Sequence, residues 1–357
     1  MNAKVKLFVP EPLEGWGIAQ PFWFKYPNKK GSVLFDGNLP ANFFETGVNF
    51  VEAAEAEAIV IPNTFADSTA EVAAYVQTYA DLGEKLGMPV FVFSFGDLND
   101  QSRFDPRVYV FRQSVYRSTM QAKDIVVPTL TGDNGIGGIT LRQKQKVPVV
   151  SFCGQAGYKT TQQEIKYHVK VWLWKLKALG DPLLRARTVG VYWRKKMLHA
   201  CVRSPLVQHL FIMRKSFSGA YRTIELDPAQ ARKEFIDSIV NSDFVLAPKG
   251  DGNYSNRFLE ALSLGRIPIL LDTDTVLPFE EEIDYEQVVV RVPMEQVQDT
   301  SKLVRAWYDS LDEEEWKLRQ VAARELYVRV LRLDSFFEYF FTAVLPALPQ
   351  NPQEKAK

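Results

Sequence analysis

This 357-residue chain has few cysteines and histidines, no excess of charge and no long apolar run. Its two cysteines, Cys153 and Cys201, show no metal-type spacing, which excludes a cysteine-rich zinc module and makes a thiol-reducing compartment the simplest setting. Only His168, His199 and His209 offer imidazole. Forty-three basic residues balance forty-three acidic ones, which argues against a nucleic-acid partner drawn by charge. No stretch approaches the roughly eighteen apolar residues of a membrane-spanning helix, and the opening MNAKVKLFVP lacks the basic-then-apolar layout of a signal peptide. A cytoplasmic protein without a transmembrane segment is expected, and internal repeats are missing.

What the chain does have is 46% hydrophobic residues, enough for two cores of ordinary size. Short apolar runs alternate with helical periodicity. Strands are expected at 5–9, 58–61, 89–93, 108–111, 125–127 and 147–152, with helices over 68–86 and 162–179, the latter rich in aromatics. The break Gly180-Asp181-Pro182 divides a first α/β domain, 1–180, from a second, 181–335. In the second, strands are expected at 188–192, 244–247, 267–271 and 288–292, followed by an acidic helix over 312–326. The aromatic stretch 335–345 is expected to close the fold by packing back on the first domain as a terminal element, 336–357. A membrane-surface role for it would need flanking Lys and Arg that it lacks. Residues 350–357 read as a disordered tail.

The segment from Asp243 to Phe279 is the most informative part of the chain. A strand ends at Pro248, a loop carries Gly250 and Gly252, and a helix begins after Ser255, a suitable N-cap. Gly265 stands where the helix would close, and a second strand follows. Such a helix start favours an anion, and Lys249 and Arg257 add full positive charge. Phe258, Leu259 and Leu262 share one helix face, Arg257 and Glu260 another, and Glu260 could accept hydrogen bonds from a ribose diol. The plainer reading makes Arg257 and Glu260 a surface ion pair.

Ser242, Phe244, Leu246, Pro248, Gly250, Ser255, Arg257, Phe258, Glu260, Ala261, Pro268 and Leu277-Pro278-Phe279 resemble, at matching spacing, the signature of exostosin-type glycosyltransferases, family GT47. Upstream, KDIVVP from Lys123, the strand from Val149 to Gly154, and Arg194 at a helix start are weaker echoes, so the likeness spans about 90–290 and is dense in its last fifty residues. The resemblance implies a GT-B fold, two Rossmann-like domains with parallel sheets facing a cleft, and an inverting transferase. Such an enzyme moves a sugar from a nucleotide diphosphate, here expected to be UDP, to a glycan hydroxyl. Alternatives are a GDP-sugar, fucosyltransferase-like enzyme, disfavoured by the missing Y-x-T-E-K, and a non-catalytic nucleotide- or glycan-binding scaffold partnering another transferase.

Such a transfer needs positive charge and N–H groups for the leaving diphosphate and a base for the acceptor hydroxyl. The donor candidates are Arg194, Lys249, Gly250, Tyr254, Ser255, Asn256, Arg257 and Glu260, with no metal required and no tightly bound cofactor. The family often places an Arg-Asp-His element before the KDIVIP segment, where this chain has FSFGDLND. A carboxylate is therefore expected as the base, Asp97 first, with Asp100 and Asp133 behind it; His199 reads as a packed or surface residue. Asp272-Thr273-Asp274 spells a metal-binding D-x-D but follows a strand where a loop is expected. GDNGIGG, 132–138, reads as a mobile loop over the acceptor site.

Overall fold

The structure, a computed structural model, describes residues 4–26, 43–97, 102–179, 181–215 and 227–348. Asp100, Gly180 and the tail 350–357 lie outside them. The chain divides into two units, one of residues 1–130, 276–278 and 329–357, the other of 131–275 and 279–328.

In the first unit the strands are β1 (Val5–Phe8), β2 (Gly17–Ile18), β3 (Val48–Phe50), β4 (Ala58–Thr64), β5 (Val90–Ser94), β6 (Tyr109–Arg112) and β7 (Asp124–Val126). They form a sheet ordered β3-β1-β4-β5-β6-β7, parallel except for β2, which pairs antiparallel with β4. Helix α1 (Phe43–Thr46) precedes β3, and α2 (Ala70–Leu86) joins β4 to β5. Thr69 caps α2 by accepting from the Val72 N–H at 3.3 Å, and Gly87 closes it with φ +68°. The α2 residues Val72 and Val76 pack with Ile59, Ile61, Val90 and Val92. On this sheet's carboxyl side the strand order reverses between β1 and β4.

The aromatic stretch near the C-terminus belongs to the same core. Helix Leu333–Tyr339 and the turn after it bury Phe336, Phe337, Phe340 and Phe341. Phe337 lies 5.1 Å from Phe44 and 5.4 Å from Phe111 between ring centroids, and Phe340 lies 5.4 Å from Phe91. These rings are therefore interior, which removes the membrane-surface reading of this stretch.

The second unit contains β8 (Val149–Gln155), α3 (Thr161–Lys177), α4 (Pro182–Ala186), α5 (Gly190–Val202), β9 (Gln208–Arg214), α6 (Pro228–Val240), β10 (Phe244–Ala247), α7 (Asn256–Ser263), β11 (Ile267–Asp272), β12 (Val290–Pro293), α8 (Thr300–Asp309) and α9 (Glu313–Leu326). Its sheet is parallel throughout, ordered β12-β11-β10-β8-β9. Counted in chain order this is the 2-1-3-4-5 winding of a flavodoxin-like sheet, whose direction of travel reverses between β8 and β10. The two α/β, Rossmann-like units are the building blocks that a GT-B fold uses.

Two expectations about this half are corrected. The boundary falls near residue 130 rather than 180, because β8 pairs with β10 and β9 and so carries 149–155 and α3 into the second sheet. Residues 188–192 are not a strand. They run into α5, and the strand expected there is β9, whose buried and exposed positions follow no clean alternation.

Candidate functional site

Parallel α/β sheets bind ligands outside the carboxyl ends of their strands, where the winding reverses. In the second unit that point is the gap between β8 and β10. Arginines from two helices converge there.

Arg257 enters from the first turn of α7. Its Nε and Nη2 both donate to the Cys153 carbonyl at the end of β8, at 3.1 and 3.0 Å, and its guanidinium lies 4.7 Å over the Phe152 ring. The Nη1 end of the fork is left for another acceptor. Gly154 permits this approach: a Cβ there would stand 2.0 Å from Arg257 Nη2, at a φ of +154° that side chains rarely adopt.

Arg194 enters from α5. The helix start approaches the loop after β10 so closely that a Cβ on Gly190 would lie 2.3 Å from the Gly250 carbonyl oxygen. One turn later Arg194 is only 9% exposed, yet its single hydrogen bond among the described residues is Nη1 to the Gln155 carbonyl at 3.4 Å, and its Nε is buried without a partner. Burial, and then the neighbouring Arg257, push its pKa down to about 10. Burial likewise lowers that of Arg257, with Glu260 opposing. Arg214, at the carboxyl end of β9, adds positive charge beside Arg257 while bonding the Ala231 carbonyl at 3.3 Å and Glu234 at 3.2 Å. Burying like charges together costs stability unless something compensates them. An anion held between Arg194 and Arg257 would do so.

The helix start adds to this cradle. Tyr254, Ser255 and Asn256 are half-buried, and the Gly250 N–H donates to the Tyr254 carbonyl at 2.9 Å, which folds the loop onto the helix. Ser255 holds the N-cap position but does not cap: no backbone N–H reaches its side chain, and its Oγ is buried without a partner. The first N–H groups of α7 thus have no side-chain acceptor from the cap. Gly265 closes the helix at φ +65° as expected.

Other sequence candidates fall elsewhere or play other parts. Lys249 is buried, with Nζ donating to the Ala186 carbonyl at 3.1 Å, so it ties the loop to α4. Glu260 is not in a surface pair with Arg257, since α7 is buried from Phe258 to Ser263, Glu260 included. Its Oε1 accepts from Arg232 at 3.4 Å, and burial raises its pKa against the pull of Arg232 and Arg257. Asp133 is excluded as a base: it is 3% exposed, grips Arg324 through both oxygens and accepts the Gly135 N–H at 3.0 Å. The glycine loop around it is no free lid either. Arg324 also bonds the Ser263 and Gly135 carbonyls at 2.8 and 3.1 Å, and Arg232 bonds Asn134 at 2.6 Å, pinning the loop to the end of α7.

Asp272 accepts from the Thr275 N–H at 2.9 Å and Arg291 at 3.0 Å, while Asp274 sits in a left-handed turn at φ +64° with its carbonyl held by Asn253 at 3.3 Å. D-x-D is a turn here. His199 is exposed on α5. In the first unit, Asp97 is exposed just beyond β5, its carbonyl accepting from Ser114 Oγ at 3.0 Å, and Asp67 is exposed beyond β4. The sequence reading missed Arg214, because the strand that carries it was not recognised; it named Gly154 only as part of a strand, since the need for a bare Cα there arises only when Arg257 crosses over it.

Residues 181–307 match the family model described as the Exostosin GT47 domain. This stretch, about a third of the chain, is similar to exostosin domains. The matched stretch includes Arg194 and the whole of α7, in keeping with the resemblance drawn from the signature residues. Exostosin-1 of Drosophila melanogaster is 46% identical over 59 residues, 16% of this chain and 8% of that protein. The Exostosin-1 homolog of Caenorhabditis elegans is 38% identical over 61 residues, 17% of this chain and 16% of its own length. The chain therefore aligns with a small part of either relative. Among solved structures, the lipopolysaccharide outer core galactosyltransferase WaaB in its apo form is 13% identical, with a TM-score of 0.41 over 94% of this chain and 99% of that one. Anabaena HepE in complex with UDP is 11% identical, with a TM-score of 0.36 over 97% of this chain and 100% of that one. Likenesses so distant leave the function to the chain's own residues.

Proposed function

We propose that the chain is an inverting glycosyltransferase that moves a sugar from a UDP-sugar to a hydroxyl of a glycan acceptor. The observation that carries this reading is the pair at the β8/β10 reversal, Arg194 buried and Arg257 half-buried, with no carboxylate bound to either among the described residues. The exostosin match, which covers α5, β10 and α7, supports it.

In this mechanism the diphosphate rests between the two guanidiniums and the N–H groups that open α7. The acceptor oxygen attacks the anomeric carbon from the face opposite the bond to the β-phosphate oxygen. As the new C–O bond forms and the old one breaks, the diphosphate takes the electron pair and its growing charge falls on Arg194 and Arg257. The acceptor proton passes to a carboxylate, assigned to Asp97. The guanidiniums supply the charge, so no divalent cation is required. Glu260, one turn into α7, is assigned to the ribose diol.

Calorimetry with UDP, GDP and ADP in the presence of a chelator tests the donor half. The expected result is a preference for UDP in wild type and a loss of about tenfold or more in Arg257→Ala and in Arg194→Ala. Preference for GDP would move the donor to another nucleotide. Failure of the folded protein to bind any nucleotide would overturn the reading, and binding without turnover that depends on Asp97 would favour the scaffold alternative.

A further inference from the structure

Helix α3 in the second unit is apolar on the wrong side for a core helix. Tyr167 and Val171 face inward and pack with Val191. On the outside, Ile165 is 58% exposed, Val169 51%, Trp172 59%, Leu173 46% and Leu176 44%. These positions recur at the helical period and form one continuous stripe covering roughly 100° of the wheel. Scattered exposed apolar side chains are ordinary, but a contiguous stripe that includes a tryptophan marks a surface meant to be covered.

The charges beside the stripe indicate what covers it. Lys166, Lys170 and Lys177 flank it on one side and Lys175 on the other, all exposed, against Glu164 as the helix's only carboxylate. Glu164 itself is taken by Lys195 of α5 at 2.5 Å. A chain with no net charge thus concentrates positive charge around an exposed apolar helix face. A second copy of the chain is a poor occupant, because a symmetric contact would set these lysine rows against each other. An anionic bilayer surface satisfies both features: acyl chains receive the stripe, tryptophan sits at the headgroup level, and lysines reach outward to lipid phosphates.

We propose that α3 docks this unit onto an anionic phospholipid surface, lying in the plane of the headgroups with the stripe Ile165–Val169–Trp172–Leu173–Leu176 inward. The inference does not depend on the transferase reading.

Flotation of the full chain with vesicles tests it, using phosphatidylcholine alone and phosphatidylcholine with about 30% phosphatidylglycerol. The protein is expected to float with the anionic vesicles, to stay behind with the neutral ones, and to be released as salt rises to about 0.5 M. The double variant Trp172→Ser/Leu176→Ser changes only exposed side chains, so its melting temperature should match wild type while its partition falls about tenfold or more. Lys166→Glu/Lys170→Glu/Lys177→Glu should abolish the preference for anionic lipid. The proposal is overturned if folded wild type ignores anionic vesicles or binds neutral ones equally. It is also overturned if either variant floats like wild type, or if light scattering reveals a dimer that the apolar double variant converts to monomer.

Discussion

Replacing Gly154 by alanine tests the arginine site through a residue with no chemistry of its own. The added Cβ would fall 2.0 Å from Arg257 Nη2, closer than real Cβ atoms come, and a tight 3.1 Å from its Cζ. The guanidinium must then leave the Cys153 carbonyl, which it now holds through two bonds of 3.0 and 3.1 Å. Losing a hydrogen bond made by a charged group costs about 1.5–3 kcal/mol, and holding alanine at this φ adds about 1–3 kcal/mol of backbone strain. Stability should fall by a few kcal/mol at most, measurable by urea unfolding. If Arg257 also grips the donor diphosphate, its displacement removes a charge-assisted contact of similar size, which is roughly a 10- to 150-fold loss of UDP affinity. The loss should not add to that of Arg257→Ala, because both variants remove the same contact. Gly154→Ala that binds UDP within twofold of wild type, or a double variant in which the losses add in full, would refute this placement of Arg257.

The two aspartates separate structure from chemistry: Asp133→Asn should lower stability by about 3 kcal/mol through its broken pair with Arg324 while leaving kcat intact at permissive temperature. Asp97→Asn should leave the melting temperature unchanged and lower kcat by about 10²–10⁴; the reverse pattern in either would sink the assignment. Burial raises the Glu260 pKa, so its contribution to stability is complete below the ordinary carboxylate range and is lost as pH rises through the raised value. Unfolding free energies of wild type and Glu260→Gln from pH 4 to 8 should therefore shift steadily in favour of the variant, and a flat difference would contradict the burial argument. Phe337→Ala should cost about 3–5 kcal/mol in chemical denaturation, since the ring is closed in by Phe44, Phe93 and Phe111.

Much of this was legible in the chain. Apolar runs of three to six residues marked most strands of both sheets within a residue or two, because a parallel strand buried on both faces leaves no room for polar side chains. Loop glycines, a capping-type serine and a closing glycine framed α7, and the position of Arg257 in its first turn pointed to an anion. Less could be read where burial and partner choice decide the outcome. α7 was read as a two-faced helix, but the packing covers Glu260 and turns its charge toward Arg232. Asp133, Lys249 and Asp272 look like site residues in one dimension, yet each is held by a group that the fold brings to it: Arg324, the Ala186 carbonyl and Arg291.

Local composition and periodicity determined that this chain makes alternating strands and helices with a phosphate-type loop, because those features depend on near neighbours along the backbone. Which cations are left for a ligand was decided only by the tertiary structure. A charge can be held by a group far away in sequence, as Arg257 is by the Cys153 carbonyl 104 residues before it. The winding of the second sheet brings β8 and β10 together, and that single adjacency places Arg194 and Arg257 in one site.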